Sequence, residues 1–178
     1  EDGIRDYKVT GVQTCALPIL HAQVYSQLRA ARIVAVVDKE KAKAKRDLAK
    51  LKLAVPVFGT VEDMLAAVQV DIVDICLPTD LHAAFALKAI AAGKHVFCEK
   101  PLALTTADAR RITTAARRTG VFVQVGQCIR FWPEYQAFTT FVRSGKAGRL
   151  LSLSLQRRAD RKSTRLNSSH LVISYAVF

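Results

Sequence analysis

The segment VDIVDICLPTDLHAAFALKAIAAGKHVFCEKP, residues 70–101, decides the fold of this chain. It opens with VDIVDICLP, a short apolar run that stops at a proline and is typical of a buried parallel strand. The next part, LHAAFALKAIAAG, has the composition of a helix and ends at Gly93, a residue favoured at helix C-termini. A second apolar run, KHVFCEKP, follows at once. A strand, a helix and a strand at this spacing predict a parallel βαβ unit.

The same pattern continues on both sides of this unit. Upstream it comprises the strand ARIVAVVD, the helix KEKAKAKRDLAKL, the short strand in VPVFGT and the helix VEDMLAAV. Downstream it comprises the helix TTADARRITTAARRTG, the strand GVFVQVG and the helix PEYQAFTTFVRSG, in which Pro133 suits the first turn. Because crossovers between parallel strands are right-handed, these elements predict an α/β fold with a doubly wound parallel sheet.

A change of pattern at Arg149 marks a predicted domain boundary. RLLSLSLQR alternates leucine with polar residues, as expected of a half-exposed strand and not of a buried one. We therefore expect residues 20–147 to form the doubly wound domain and residues 148–159 to begin a second domain.

The two ends of the chain are related to each other in an unusual way. Asp160–Phe178 can be back-translated into a DNA string whose reverse complement encodes Glu1–Ile19 without a mismatch. A protein has no physical reason to carry its N-terminus as the antisense of its C-terminus, and the string resembles a common sequencing adapter. We therefore expect residues 1–19 and 160–178 to be translated, non-native adapter. On this interpretation VTGVQTCALP forms no strand or turn, and the first strand and the glycine loop of the sheet are missing.

The charge of the chain is strongly basic, with 27 Lys and Arg against 15 Asp and Glu and a net charge of +12. Much of the excess lies in residues 39–52 and 110–118, on predicted helix faces and without interleaved aromatic residues. This pattern favours solvated helix faces over a nucleic-acid site.

Cysteine spacing and hydropathy exclude further classes of protein. Cys76, Cys98 and Cys128 are widely spaced and form no C-x-x-C motif, which favours reduced thiols in a cytoplasmic protein over a disulfide framework or a metal site. There is no apolar run near the length of about 18 residues that a membrane span needs, so no membrane partner is expected.

Candidate ligand-binding residues lie in loops that follow the predicted strands, because open parallel sheets bind ligands beyond the carboxyl ends of their strands. Asp38 suits the two hydroxyls of an adenosine ribose, and it suits the N-cap of the next helix equally well. A glycine loop should precede such an aspartate by about 20 residues, which falls near residue 18 in the predicted adapter.

The loop LPTDLH contributes Leu77, Pro78, Thr79 and His82 as candidates for a cofactor site. The residues by themselves favour a structural alternative. Thr79 or Asp80 would then cap the next helix, and His82 would lie on its first turn.

Glu99, Lys100 and Pro101 give the sharpest signal. A charge pair where a buried strand ends indicates a ligand site. A lysine there can hold a substrate hydroxyl and help to move its proton during hydride transfer. Pro101 fixes the turn and can follow a cis peptide bond. The alternative for the charged pair is a surface salt bridge of little energetic value.

The loop of residues 126–135 is rich in hydrogen-bond donors and aromatic rings. Gln127 and Arg130 are candidates for cofactor binding, and Arg130 could also reach an anionic substrate. The alternative is packing between domains through Phe131 and Trp132.

Together these loops resemble the glucose–fructose oxidoreductase and inositol dehydrogenase family, Gfo/Idh/MocA. The matching stretches are HA at His21, IVAVVD, VDIVDICLPTDLH, GKHVFCEKPLAL, VQVGQCIRFWPEY and GKAGRLLSLSLQ, and GKHVFCEKPLAL is highly specific. The resemblance implies a Rossmann NAD(P)-binding domain followed by a larger α/β substrate domain. It also implies a parent enzyme that oxidises or reduces sugars, cyclitols or related polyols with NAD or NADP.

The resemblance also implies roles for single residues. Asp38 would meet the adenosine ribose, the LPTDLH loop would line the cofactor, Glu99 would contact the nicotinamide ribose, and Lys100 would lie beside the reacting carbon. NAD is the expected cofactor, although Lys39 leaves NADP possible. The family's catalytic aspartate and histidine would follow residue 159. The fragment itself is therefore expected to be inactive, and the parent to be a homo-oligomer.

Two other functions remain open from the sequence. A noncatalytic dinucleotide-sensing regulator could share this fold, since fold does not determine function. The presence of Lys100 favours the enzyme, because a sensor has no need of it. Nucleic-acid binding through the basic helices would require strongly salt-dependent affinity.

Overall fold

The computed structural model describes residues 7–13, 17–146, 148–149 and 151–152. The chain divides into two compact units, Glu1–Gln127 and Cys128–Phe178. The first contains the sheet, and the second contains the last described helix.

The first unit is built on a six-stranded parallel sheet with the strand order β3-β2-β1-β4-β5-β6. The strands are β1 Tyr7–Gln13, β2 Ala31–Asp38, β3 Val57–Phe58, β4 Ile72–Cys76, β5 His95–Cys98 and β6 Val123–Val125. The chain winds outward from β1 to β3 and then returns to β4 on the other side of β1. The doubly wound α/β fold predicted from the sequence is confirmed.

Helices connect these strands. They are α1 Leu17–Gln27, α2 Lys41–Lys50, α3 Val61–Ala67, α4 Thr79–Ala91 and α5 Thr106–Thr119. Side chains alternate between the two faces of each strand. Val37 and Ile75 therefore pack in a core with α3, α4 and α5, whereas Val36 packs against α2 on the opposite face.

The prediction that VTGVQTCALP, residues 9–18, forms no strand is wrong for residues 9–13. Tyr7–Gln13 is β1, and it lies between β2 and β4 at the centre of the sheet. Two neighbouring strands offer backbone groups that need partners at this position. The segment meets that need with β-branched side chains, since Val9 and Thr10 are both buried and the Thr10 hydroxyl donates to the Ala35 carbonyl at 3.1 Å. The first strand is therefore present in this structure.

The helix ends agree with the sequence in some places and differ in one. Gly93, which follows the C-cap Ala92 of α4, has a φ of 71°, the left-handed conformation expected of a terminating glycine. The expectation that Thr79 or Asp80 caps α4 is wrong, because the helix already begins at Thr79. Its N-cap is Pro78, which has no side-chain donor or acceptor.

The second unit contains a 3-10 turn, Cys128–Phe131, and α6, Pro133–Arg143. Pro133 stands in the first turn of α6, as predicted. Leu151 and Ser152 have no regular secondary structure. The rest of the strand predicted after Arg149 lies outside the described residues. Among the described residues, no helix has the length and hydropathy that crossing a membrane requires.

Candidate functional site

Four strands end at the same edge of the sheet, and this edge carries the predicted site. Gln13, the last residue of β1, pairs with Asp38 of β2 and with Cys76 of β4, while Ile75 pairs with Cys98 of β5. The connections leave β1 and β4 in opposite directions across the sheet. Such a switch point opens the crevice in which doubly wound sheets bind their ligands.

Asp38 is almost fully buried at this edge, with 6% of its surface exposed. Its Oδ1 accepts a 2.7 Å hydrogen bond from the backbone N–H of Glu40, which immediately precedes α2. The carboxylate therefore supports the start of the helix. An ionised carboxylate has about four acceptor positions on two oxygens, so this bond does not exclude a ribose hydroxyl as a second partner.

Two hydrogen bonds from backbone N–H groups fix the EKP turn, residues Glu99, Lys100 and Pro101. The backbone N–H of Glu99 donates to the Ile75 carbonyl at 2.9 Å, and the N–H of Lys100 donates to Glu99 Oε2 at 3.2 Å. The peptide bond between Lys100 and Pro101 is cis, as the sequence suggested. The Lys100 side chain is exposed, so its ammonium is available at an otherwise fixed turn.

The Glu99 carboxylate packs against Gly126 at a point where a side chain would clash with it. A Cβ at position 126 would lie 2.9 Å from Glu99 Oε1 and 3.3 Å from its Cδ. The backbone of Gly126 is tied down by a 2.8 Å hydrogen bond from its N–H to the Cys98 carbonyl. The end of β6 and the Glu99 side chain are therefore closely packed.

His82 is buried behind the edge, with 1% of its surface exposed. Its Nδ1 lies 2.7 Å from the Pro101 carbonyl oxygen and its Nε2 lies 2.7 Å from the Leu77 carbonyl oxygen. The ring thus joins the LPTDLH loop to the EKP turn. His82 therefore supports this edge of the sheet through contacts with the main chain.

The remaining candidates differ in their exposure. Leu77 is buried, Thr79 is half-buried and Pro78 is exposed. Gln127 is exposed beside Gly126 in the first unit, while Arg130 is exposed in the 3-10 turn of the second unit.

A polar cluster near Glu99 was not identified as a site from the sequence. His21 of α1 lies between two carboxylates, with its Nδ1 2.8 Å from Asp74 Oδ2 and its Nε2 3.2 Å from Glu99 Oε1. Asp74 is 2% exposed. The hydrogen bond with Asp74 raises the pKa of His21 above its ordinary value, against the opposing effect of burial. An aspartate within the apolar run VDIVDIC was the available signal, because a buried carboxylate requires a partner.

Burial also affects two neighbouring groups. It raises the pKa of the Cys98 thiol to about 12, and the charges of Asp74 and Glu99 act in the same direction. The pKa of the Tyr25 hydroxyl is raised mainly by burial and further by Asp74 and Cys76. Neither Cys98 nor Tyr25 therefore supplies an anion near neutral pH.

Comparison with known proteins agrees with this geometry. Residues 16–127 match the model of the Gfo/Idh/MocA family, described as an oxidoreductase family with an NAD-binding Rossmann fold. The chain is 40% identical over 135 residues to an inositol 2-dehydrogenase from Pseudomonas fluorescens, a match that covers 75% of this chain and 40% of the relative. The chain thus spans about 40% of the length of the curated relatives it matches.

Solved structures give the same result. An NAD-binding oxidoreductase from Klebsiella pneumoniae is 32% identical with a TM-score of 0.71, and the match covers 80% of this chain and 40% of that one. A scyllo-inositol dehydrogenase from Lactobacillus casei, solved with NAD(H) and scyllo-inositol, is 25% identical with a TM-score of 0.74. That match covers 81% of this chain and 43% of the dehydrogenase. The sheet therefore has solved counterparts.

Proposed function

The chain belongs to the Gfo/Idh/MocA family of oxidoreductases with an NAD-binding Rossmann fold, and from this premise we propose that it is the nucleotide-binding part of a dehydrogenase. The parent enzyme transfers hydride between a nicotinamide cofactor and a CH–OH group of a cyclitol, sugar or related polyol. NAD is the cofactor. The named relatives, which include inositol dehydrogenases, support this substrate class.

The observation that carries the proposal is the placement of Asp38 and the EKP turn on one edge of the sheet. A carboxylate at the end of the second strand suits the two hydroxyls of the adenosine ribose and disfavours a 2′-phosphate. Lys100 extends from a turn fixed by Glu99 and by the His82–Pro101 contact. In that position it would hold a substrate hydroxyl and take part in moving its proton.

The residues fit NAD at two places and leave a third unsupported. Asp38 fits the adenosine ribose, and Lys100 fits the reacting end. The segment from the end of β1 into α1, residues 12–18, reads VQTCALP and has no glycine. A glycine turn lets the backbone approach the pyrophosphate at this position in Rossmann folds. We therefore expect the 178-residue chain to bind NAD weakly and to lack turnover of its own.

The ribose role of Asp38 is tested by comparing NADH with NADPH. We expect the chain to bind NADH more tightly than NADPH, and Asp38→Ala to reduce NADH affinity by about 10- to 100-fold, because a charge-assisted hydrogen bond contributes about 1.5–3 kcal/mol. NADPH affinity should fall less. Fluorescence titration of both dinucleotides measures the difference.

Asp47→Ala is the matched control for this experiment. Asp47 is a half-buried carboxylate of α2 that pairs with Lys50, and its removal should leave both affinities unchanged. Equal losses for NADH and NADPH in Asp38→Ala would contradict the ribose role. If the parent binds NADH but turns over no polyol, a dinucleotide-sensing regulator would replace the enzyme as the better proposal.

A further inference from the structure

We propose that His21 is a positioning residue that fixes the Glu99 carboxylate at the cofactor edge by bridging it to the buried Asp74, and that the bridge requires both ring nitrogens to be protonated. The role of the bridge in NAD binding rests on the proposed function. Its existence is independent of that function.

The arrangement follows from the alternation of side chains along β4. Val73 and Ile75 face the core formed with α3, α4 and α5. Asp74 therefore faces the opposite side of the sheet, where the His21 ring of α1 meets it. The ring also makes an edge contact with Phe97 of β5, at a centroid distance of 5.8 Å. These contacts orient the imidazole toward Glu99.

A count of protons decides the state of the bridge. Ionised carboxylates only accept hydrogen bonds, and a neutral imidazole has a single N–H. Neutral His21 could therefore satisfy either Asp74 or Glu99 and would present a lone pair to the other. The distances of 2.8 and 3.2 Å are both within hydrogen-bond range. Both carboxylates receive a hydrogen bond when both ring nitrogens donate. The imidazolium is the form that fits this site.

The other groups that face the ring are consistent with this assignment. The Cys76 thiol lies 3.2 Å from Nδ1, and Tyr25 is at a ring-centroid distance of 6.5 Å. Donor atoms of His21, Asp74 and Cys76 lie close enough to one another to hold a cation. Two ligand atoms about 2.0 Å from a tetrahedral zinc ion lie about 3.3 Å apart. His21 Nδ1 and Asp74 Oδ2 are 2.8 Å apart, a separation that fits a hydrogen bond and not a shared zinc ion.

The Glu99 carboxylate connects the His21 ring to the EKP turn. One oxygen faces His21 and the second accepts from the backbone N–H of Lys100. The carboxylate occupies the space that a side chain at position 126 would fill, since a Cβ there would lie 2.9 Å from Glu99 Oε1. Loss of the imidazolium would therefore release the group that orients Lys100.

The expected pH dependence has a definite sign. Because Asp74 and Glu99 raise the pKa of His21 above 6.5, the bridge stabilises the fold fully below about pH 6.5. This contribution disappears as the pH rises through the raised value. Alkaline conditions should therefore loosen the EKP turn before they unfold the chain.

Nuclear magnetic resonance of the ¹⁵N-labelled 178-residue chain tests the proposal directly. Long-range ¹H–¹⁵N spectra should show both His21 nitrogens protonated at pH 6.5 and a midpoint above this value. Asp74→Asn should lower the midpoint by about one unit or more, as expected for loss of an adjacent opposite charge. Glu99→Gln should lower it less. Asp71→Asn, at the other end of β4, is the matched control and should leave the midpoint unchanged.

The resonance of the Lys100 backbone amide tests the positioning role of His21. If His21 only stabilised the fold, its titration would not affect this resonance. The Lys100 resonance should titrate with the midpoint of His21, and this dependence should vanish in His21→Gln. A His21 midpoint at or below 6.5, or one unaffected by both Asp74→Asn and Glu99→Gln, would overturn the proposal. Failure of the chain to bind NADH at any pH would count against the proposed function, while these spectra would still decide whether the bridge exists.

Discussion

The residues at the sheet edge of the candidate site fall into two groups. His82 and Gly126 support the edge through contacts with main chain and with Glu99. Asp38 and Lys100 present charged groups there. The sequence identified the second group as candidates, because charged residues at strand ends are conspicuous. It did not reveal the pairing of His21 with Asp74, since these residues are 53 positions apart and only the fold brings them together.

Lys100 is the residue on which turnover should depend. We expect Lys100→Ala in the full-length parent to lower kcat by 10²-fold or more, within the range typical of general acid–base groups. Cofactor affinity should change little, because the EKP backbone is fixed by contacts that do not involve the lysine side chain. Steady-state kinetics and a dinucleotide titration measure the two effects. Arg110→Ala, on the exposed face of α5, serves as the control, and unchanged turnover in Lys100→Ala would exclude Lys100 from the reaction.

At the scale of secondary structure, hydropathy patterns located most elements. The strands ending at Asp38, Cys76 and Cys98 were predicted because each is a solid apolar run, as buried parallel strands require. β1 was not predicted because residues 1–19 were interpreted as adapter, and no helix was predicted over residues 20–27, which form most of α1. β1 is mainly held by backbone hydrogen bonds to its two neighbours, and such bonds place few demands on sequence.

α5 should contribute strongly to stability through one residue. Ile112 is completely buried in the core between α5 and the sheet. We expect Ile112→Ala to lower the free energy of unfolding by about 2–5 kcal/mol, because it removes buried methyl groups and leaves a cavity. Urea denaturation followed by circular dichroism measures this. Thr114→Ala, at an exposed position of the same helix, should change stability by less than about 0.5 kcal/mol. Similar values for both variants would place Ile112 outside the core.

For the whole molecule, the origin of the two ends remains a proposal. The family match begins at residue 16, so β1 lies outside it. We propose that residues 1–19 and 160–178 are translated adapter, and that the adapter segment fills the central strand position in this chain. The antisense relation between the ends was visible only in the genetic code. The structural role of residues 7–13 was visible only in the fold.

A long sequencing read of the source DNA tests this proposal. The read should cross the junctions at residues 19–20 and 159–160. We expect it to replace both ends, to supply a strand with a glycine loop upstream, and to continue into a second domain downstream. A read that returned both ends as genuine coding sequence would show that the adapter interpretation is wrong and that β1 is native.

The central position of β1 also bears on how the chain is made. Translation delivers β1 first, yet one of its two sheet partners, β4, emerges much later. The backbone N–H of Lys8 reaches its acceptor Asp71 across 63 positions of sequence. One edge of β1 therefore stays unpaired until β4 has been synthesised. An unpaired strand edge can form a sheet with other chains. Whichever sequence occupies this central position, native or not, its second edge stays open to other chains during that interval.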